Sequence, residues 1–282
     1  MQDKPHFSII TPSFNMLPFL EMCAASIADQ EEAAFEHIVV DGGSGDGTTR
    51  WLEQQPHIKS LSEKDSGMYD AINKGFARAR GDILAYLNCD EQYLPGTLAF
   101  VKTYFEHNPA VDMIFGDMVL TRPDGALIAF RKGYPPRWFY ILASFLYVPT
   151  CTMFFRRKII DDGFYFDLNF KANADADFVV RLLRSRYVLK HVKKYLAAFT
   201  MTGKNLSSET IAQKESALMY NQSPGYIKKL RWLLNGLRFL EKWCSGAYFQ
   251  KKPLEYSVYV KDSGTQRKHF SATNPSFKWK WE

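Results

Sequence analysis

Two acid pairs carry the chemical interest of this sequence. Asp90–Glu91 directly follows the apolar run ILAYL, and Asp175 and Asp177 alternate with alanine in FKANADADFVV. Neighbouring carboxylates are hard oxygen donors that suit Mg²⁺ or Mn²⁺. Beside a phosphate, which carboxylates alone would repel, a divalent cation is the natural intermediary. Asp175 and Asp177 precede Phe178, Val179, Leu182 and Leu183 at helical spacing, so they fall in a first turn, where aspartate offsets the helix dipole whatever else it does. Asp41 closes the run FEHIVVD and opens GGSGDG, whose four glycines supply tight turns and close backbone approach. Asp65, in EKDSG, stands where an N-cap would for a helix beginning near Gly67. Asp70 and Lys74, four apart, read as an ordinary surface pair.

Several common chemistries find no support. GGSGDG lacks the GxGxxG spacing of a dinucleotide loop, and there is no GxxxxGK[ST] run. The six histidines show no HxxxH or HExxH arrangement, which leaves them surface or core roles. No GxSxG elbow is present. The four cysteines, Cys23, Cys89, Cys151 and Cys244, form no CxxC pair and mostly occupy apolar contexts, as expected of reduced thiols in a cytosolic protein.

The elements that must position these residues alternate. FSIIT (7–11) reads as a strand ended by Pro12, Leu17–Asp29 as a helix, and FEHIVVD as a buried strand. Thr48–Gln54 resumes as a helix, followed by a weak strand near 59–62, a helix over 67–80 and a strand over 83–88. This order predicts an open, mainly parallel sheet with helices on both faces. Ligands of such sheets bind beyond the carboxyl ends of the strands, where PSFN, DGGSGDG and CDE all fall. Further on, VDMIFGDMVL and GALIAFRK read as a hairpin turning at RPDG.

Composition sets the outer bounds. With 282 residues, 46% hydrophobic and 23% charged, the chain has the make-up of a soluble globular protein. The net charge of +6 gathers late, in Tyr226–Lys252, and no zinc spacing, RNP or helix-turn-helix signature accompanies it, so nucleic acid is not an expected partner. The N-terminus shows no signal-like apolar segment, and no run approaches the ~18 apolar residues of a spanning helix. In 226–252, Ile227, Leu230, Leu234, Leu237, Leu240 and Trp243 recur at helical spacing among lysines and arginines. That pattern fits a helix docked on the catalytic domain or on another subunit, or one lying on an anionic membrane surface.

Taken in order across 7–208, FSIITPSFN, VVDGGSGDGT, SEKDSGMYDAINKG, AYLNCDE and ADADFVVRL resemble the inverting family 2 glycosyltransferases of GT-A fold. DSGMYDAINKG is similar to bacterial members that build exopolysaccharide or O-antigen. The resemblance implies an α/β fold: a mixed, mainly parallel sheet with flanking helices. It implies a catalytic domain over 1–208, with a nucleotide-sugar half (1–117) and an acceptor half (118–208), and 209–282 then reads as a helical, basic and aromatic extension. Pro12, Phe14 and Asn15 would form the base and ribose pocket of a nucleotide diphosphate sugar, UDP-linked by preference. Asp41 would accept hydrogen bonds from base or ribose, with Asp65 alongside.

By the same resemblance, Asp90 and Glu91 would hold Mn²⁺ or Mg²⁺, with Glu91 standing where the family usually has a second aspartate. Asp175 would be the base that deprotonates the acceptor, and Asp177 its structural or acceptor-orienting partner, with Ala174 where glutamate is common. Arg131, Trp138 and Thr152 are acceptor-side candidates. The acceptor would be a saccharide or lipid-linked saccharide. The location would be cytoplasmic, with contact to the inner membrane face through 226–252 as one option. A catalytically silent nucleotide-sugar-binding protein and a nucleotidyltransferase are the alternatives.

Overall fold

The computed structural model describes residues 5–31, 34–203, 210–261 and 266–278. Strand β1 (Phe7–Ser13) is buried at every position, because it lies in the middle of the sheet. Helix α1 (Leu17–Ala28) leads to β2 (Phe35–Asp41), α2 (Thr48–Glu53) to β3 (Ile58–Ser62), and α3 (Met68–Arg78) to β4 (Ile83–Tyr86). β1, β2, β3 and β4 run parallel in the order β3-β2-β1-β4. Because β2 and β4 flank β1 on opposite sides, a crevice opens at the carboxyl ends, as expected where strand order reverses.

The strand reading of 7–11 stops short, since β1 continues through Pro12 to Ser13. Proline normally forfeits a ladder bond in a central strand. Here β4 pairs with β1 only as far as Ile10↔Tyr86, whereas β2 pairs on to Ser13↔Asp41. The Ile10 carbonyl accepts from Leu87 on the β4 side and that of Ser13 from Gly42 on the β2 side. Two residues after Ile10, Pro12 faces the side where β4 has already diverged, so no bond is lost.

The second half extends the sheet with reversed strands. β5 (Glu91–Tyr93), α4 (Thr97–His107), β6 (Met113–Thr121) and β7 (Leu127–Arg131) are followed by α5 (Trp138–Ala143), β8 (Phe154–Arg156), α6 (Lys158–Asp161), α7 (Ala174–Arg184) and β9 (Leu189–Thr200). The sheet continues β4-β8-β6-β9-β5, with β7 also on β6. β8, β7 and β5 pair antiparallel with their neighbours, while β6 and β9 are parallel. The 122–125 hairpin turn forms as expected, closed by Gly125 N–H donating to the Arg122 carbonyl at 2.9 Å. Trp138–Val148 is helical only as far as Ala143.

One layer, with Phe7, Ile9, Cys23, Leu98 and Val101, packs α1 and α4 on one face. The other, with Ile10, Val40, Ile72, Phe76 and Phe178, packs α3 and α7 on the opposite face. The closest approach to backbone is at Gly81, where a Cβ would lie 2.5 Å from main-chain atoms of both Phe7 and Ser8. Since backbone cannot step aside as a side chain can, Gly81→Ala is expected to cost about 1–3 kcal/mol. A drop in the denaturant midpoint at unchanged slope would show this, and an unchanged midpoint would refute it.

The C-terminal segment differs most from expectation. It is helical through α8 (Thr210–Asn221), α9 (Gly225–Lys229) and α10 (Arg231–Cys244), then turns into an antiparallel hairpin of β10 (Leu254–Val258) and β11 (Lys268–Ala272). Leu254, Tyr256 and Val258 share a buried cluster with Val119, Phe130 and Ala198 of the main sheet. Arg267 reaches back to Asp29 and to the Tyr93 and Ser26 carbonyls. The segment is therefore built onto the sheet rather than appended to it. The expected domain boundary at 208/209 lies outside the described residues.

Candidate active site

At the carboxyl edge of the sheet, Ser13, Asp41 and Ser62 lie in register across three strands. Asn15, held at a φ of +53°, ties the loop after β1 to the glycine-rich turn. Its N–H donates to Ser44 Oγ at 2.7 Å, and its Oδ1 accepts from Gly45 N–H at 2.9 Å. Gly42 lies between two side chains: a Cβ there would stand 2.8 Å from Asp65 Oδ2 and 3.3 Å from the Phe14 ring. Phe14 is 62% exposed, an aromatic face open at the strand ends. Phe14, Asn15 and Asp65, expected together from the sequence, thus gather around one turn, with Pro12 behind them in β1 opposite Val40.

Asp41 holds the glycine-rich turn together. It is fully buried, and its carboxylate accepts from Gly43 N–H, Ser44 N–H, Ser44 Oγ and Ser62 Oγ. These four donors fix the conformation of the turn. Asp65 Oδ1 likewise takes Gly67 N–H at 2.9 Å, while its other oxygen lies against Gly42. Asp70 and Lys74 form the surface pair expected of them, 3.4 Å apart.

The second acid pair follows β4. Glu91 is not in a loop but opens β5, opposite Phe199 of β9, and is 1% exposed. Its Oε2 accepts from Asn88 N–H at 2.7 Å, which folds the carboxylate back over the turn. Burial, and then the charge of Asp90, push Glu91 up to about 8. Asn88 Oδ1 is buried without a hydrogen-bond partner. Two carboxylates and an unsatisfied amide oxygen are a donor set that fits a hard divalent cation. Among the described residues no third acid, histidine or cysteine joins them as a complete cage, so a bound ion would need further oxygens from its ligand.

A cavity of about 750 Å³ adjoins this pair, lined by Glu91 and Asp175 and walled by Tyr134, Tyr147, Met219 and Lys242. Asp175 enters it from the first turn of α7. Burial raises Asp175 to about 6, against the opposing influence of the Ala176 N–H at 2.8 Å and the nearby Tyr69 hydroxyl. Asp177 does not line the cavity; its Oδ2 is held by Arg181 Nε at 2.6 Å, an ion pair within α7. Of the acceptor-side candidates, Arg131 lines the cavity. Thr152 is fully buried and bonds the Gly116 amide and the Pro149 carbonyl, and Trp138 lies under Arg184.

Sequence reasoning missed the support for α7. Glu215 of α8 accepts from three successive amides, Lys171 at 2.6 Å, Ala172 at 3.0 Å and Asn173 at 2.9 Å. Tyr69 Oη donates to the Ala172 carbonyl at 3.0 Å. The loop that delivers Asp175 is therefore clamped from α3 and α8. One glutamate on a polar helix 40 positions downstream gives no signal of this in the sequence.

The family model described as "Glycosyl transferase family 2" matches residues 8–164. A "PGL/p-HBAD biosynthesis glycosyltransferase" of Mycobacterium bovis (strain BCG / Pasteur 1173P2) is 31% identical over 224 residues, covering 75% of this chain and 82% of that protein. Among solved structures, S. aureus TarS 1–349 in complex with UDP-GlcNAc superposes with a TM-score of 0.60 at 16% identity, over 95% of this chain and 99% of that one. The mannosyltransferase PcManGT from Pyrobaculum calidifontis, in complex with GDP-Man and Mn²⁺, gives 0.57 at 16% identity, over 89% and 77%. These structural likenesses speak for the fold.

Proposed function

This chain belongs to glycosyl transferase family 2, and from that premise we propose that it moves a sugar, with inversion, from a nucleotide diphosphate sugar to a saccharide or lipid-linked saccharide in cell-surface polysaccharide synthesis. It is a glycosyltransferase of α/β, GT-A-type fold, which sets aside the nucleotidyltransferase alternative. The observation that carries the mechanism is the separation of the two aspartates of α7: Asp175 lines the cavity beside Glu91, while Asp177 is spent on Arg181. Asp175 is then the base and Asp177 a structural partner.

In this reading Phe14 stacks on the base, Pro12 and Asn15 shape the ribose pocket, and Asp65 lies alongside, with Asp41 fixing the turn. Asp90, with Glu91 behind it, would hold Mn²⁺ or Mg²⁺, which offsets the charge of the leaving diphosphate when bound. The acceptor hydroxyl enters the cavity and bonds to the anomeric carbon as the bond from that carbon to the diphosphate oxygen breaks. Its proton passes to an Asp175 carboxylate oxygen. A UDP-sugar is favoured as donor, in keeping with the UDP-GlcNAc complex of the TarS neighbour, while the GDP-Man complex makes GDP-sugars the second class to test. The test is release of nucleoside diphosphate from panels of UDP- and GDP-sugars with Mn²⁺. Release from one class supports the reading, and a folded protein that releases none from any donor sinks it.

The same proposal includes contact with a membrane surface. No helix among the described residues is long and apolar enough to cross one. α10, however, packs inward through Arg238, 4% exposed, and through Glu241, paired to Arg137, while Trp232, Leu240 and Trp243 are 76%, 55% and 58% exposed. An apolar stripe turned outward, near the exposed Lys228, Lys229 and Arg231, suits an anionic bilayer. The chain is expected to float with vesicles containing phosphatidylglycerol and not with phosphatidylcholine alone. Trp232→Ser/Trp243→Ser should abolish the association, and flotation indifferent to either change would refute this part.

A further inference from the structure

The cavity that admits Asp175 is also lined by three cations: Arg131 at the end of β7, Lys132 beside it, and Lys242 from α10. Among the described residues neither lysine has a carboxylate within salt-bridge distance. Acids on the adjoining elements are already committed. Glu241 receives three hydrogen bonds from Arg137, and Asp117 is buried against His191 at 2.7 Å and the Gly133 amide at 2.9 Å.

The lysines rest on aromatic faces instead. Lys242 Nζ is 4.6 Å from the Tyr248 ring centre, and Lys132 Nζ is 5.9 Å from that of Tyr195. Behind the wall, buried Arg238 donates to the Tyr134 hydroxyl at 3.1 Å and adds a fourth positive charge. Burial, then repulsion from Arg131 and Arg238, lowers Lys242 to about 8. Arg131 is held by the Phe277 carbonyl, to which it donates. The charge of two lysines without a carboxylate partner, set among further cations, is costly and becomes favourable when an anion enters.

We propose that Lys132 and Lys242, together with Arg131, form a subsite for a phosphate group carried by the acceptor. This deepens the function proposed above and rests on its reading of the cavity as the acceptor site. The nucleotide side of the donor site lies elsewhere, because Pro12, Phe14, Asn15, Asp65 and Asp90 are all outside the cavity lining, which takes only Glu91 from that site. A single carboxylate would engage one of the three cations bidentately, whereas a phosphate presents oxygens to several at once. Two sources share this chemistry: the phosphodiester of a phosphate-containing polymer and the diphosphate headgroup of a lipid carrier. Lys242 favours the second, since α10 turns this lysine to the cavity and Trp232 and Trp243 outward.

The test is calorimetric titration of the whole chain in EDTA with inorganic pyrophosphate and, separately, with farnesyl diphosphate. EDTA withholds the cation that the donor site would need. Both probes are expected to bind, with affinity at least tenfold weaker in Lys132→Ala/Lys242→Ala and retained in Lys132→Arg/Lys242→Arg. Lys190→Ala/Lys193→Ala, which removes the same charge from exposed positions of β9, should leave both titrations unchanged. Tighter binding of farnesyl diphosphate than of pyrophosphate supports the subsite and assigns the lipid source; equal binding supports it and assigns the phosphate-containing polymer. No binding by the unaltered chain, or equal loss in the β9 control, overturns the proposal. Nucleotide titration in Mn²⁺ judges the donor reading separately, so failure of one is distinguishable from failure of the other.

Discussion

Asp175→Asn is expected to lower turnover by about 10²–10⁴-fold, the usual contribution of a positioned general base, while donor affinity stays within about twofold. The amide keeps the size of the carboxyl and can still accept the Ala176 N–H, but it cannot take the acceptor's proton. The pH profile gives an independent readout. Asp175 is raised to about 6, first by burial, with Glu215 of α8 adding to the rise and Tyr69 of α3 opposing it. Tyr86 of β4 and Glu91 of β5 also feel its charge. A base must be deprotonated to act, so the rate should fall about tenfold per pH unit below about 6 and level off above it.

Linkage runs the other way for stability. A carboxyl whose folded pKa lies above its unfolded value contributes stability at low pH that is lost as pH rises through about 6. Asp175→Asn should therefore melt no lower than the unaltered enzyme at pH 8, and at a lower temperature only in acid. An inactive variant that also melts lower at pH 8 would point to structural damage and count against the base assignment.

The second large effect is expected at Asp90. Asp90→Ala should weaken donor binding in Mn²⁺ by at least about tenfold and abolish the difference between Mn²⁺ and EDTA. The reason is electrostatic. Beside Asp90, a buried Glu91 is pushed up to about 8, and no basic residue among those described forms an ion pair with it. A divalent cation would relieve that arrangement, and removing one carboxylate removes both the need for the ion and one of its two carboxylate ligands. Glu91→Gln is expected to act more weakly, because one of its oxygens already holds the Asn88 amide and the glutamine oxygen can replace it. Equal metal dependence in the Asp90→Ala protein would contradict the assignment.

How far the sequence foretold this site depended on where each residue lies. The gathering of residues at the sheet edge was legible because parallel strands deliver their next residues to one edge, so strand ends alone brought Phe14, Asn15, Gly42 and Asp65 together. What the sequence did not reveal about Asp41 was how its loop folds back: two amides and two hydroxyls donate to its carboxylate. Asp175 and Asp177 were inseparable by type. Two positions on a helix differ by about 200°, so only one could face the cavity, and the Arg181 pair decides which.

The C-terminal helix inverted the usual expectation. Ile227 is buried and Leu234 half-buried, as an amphipathic stripe would have them, but the chain breaks at Leu230 and α10 turns Leu237, Leu240 and Trp243 outward. Hydrophobic spacing shows that a helix has two faces; it does not show which face meets protein. The hairpin after Cys244 escaped notice for a related reason, since its strands are short and half of their residues are polar.

The central claim is a cation-dependent nucleotide-sugar site at the carboxyl edge of the sheet, and calorimetric titration of the whole chain with UDP, GDP and their sugars, in Mn²⁺ and again in EDTA, tests it most directly. The expected result is binding of one nucleotide class in Mn²⁺, at least about tenfold weaker in EDTA. No binding of either class by folded protein, or binding of equal strength with and without the metal, would contradict it.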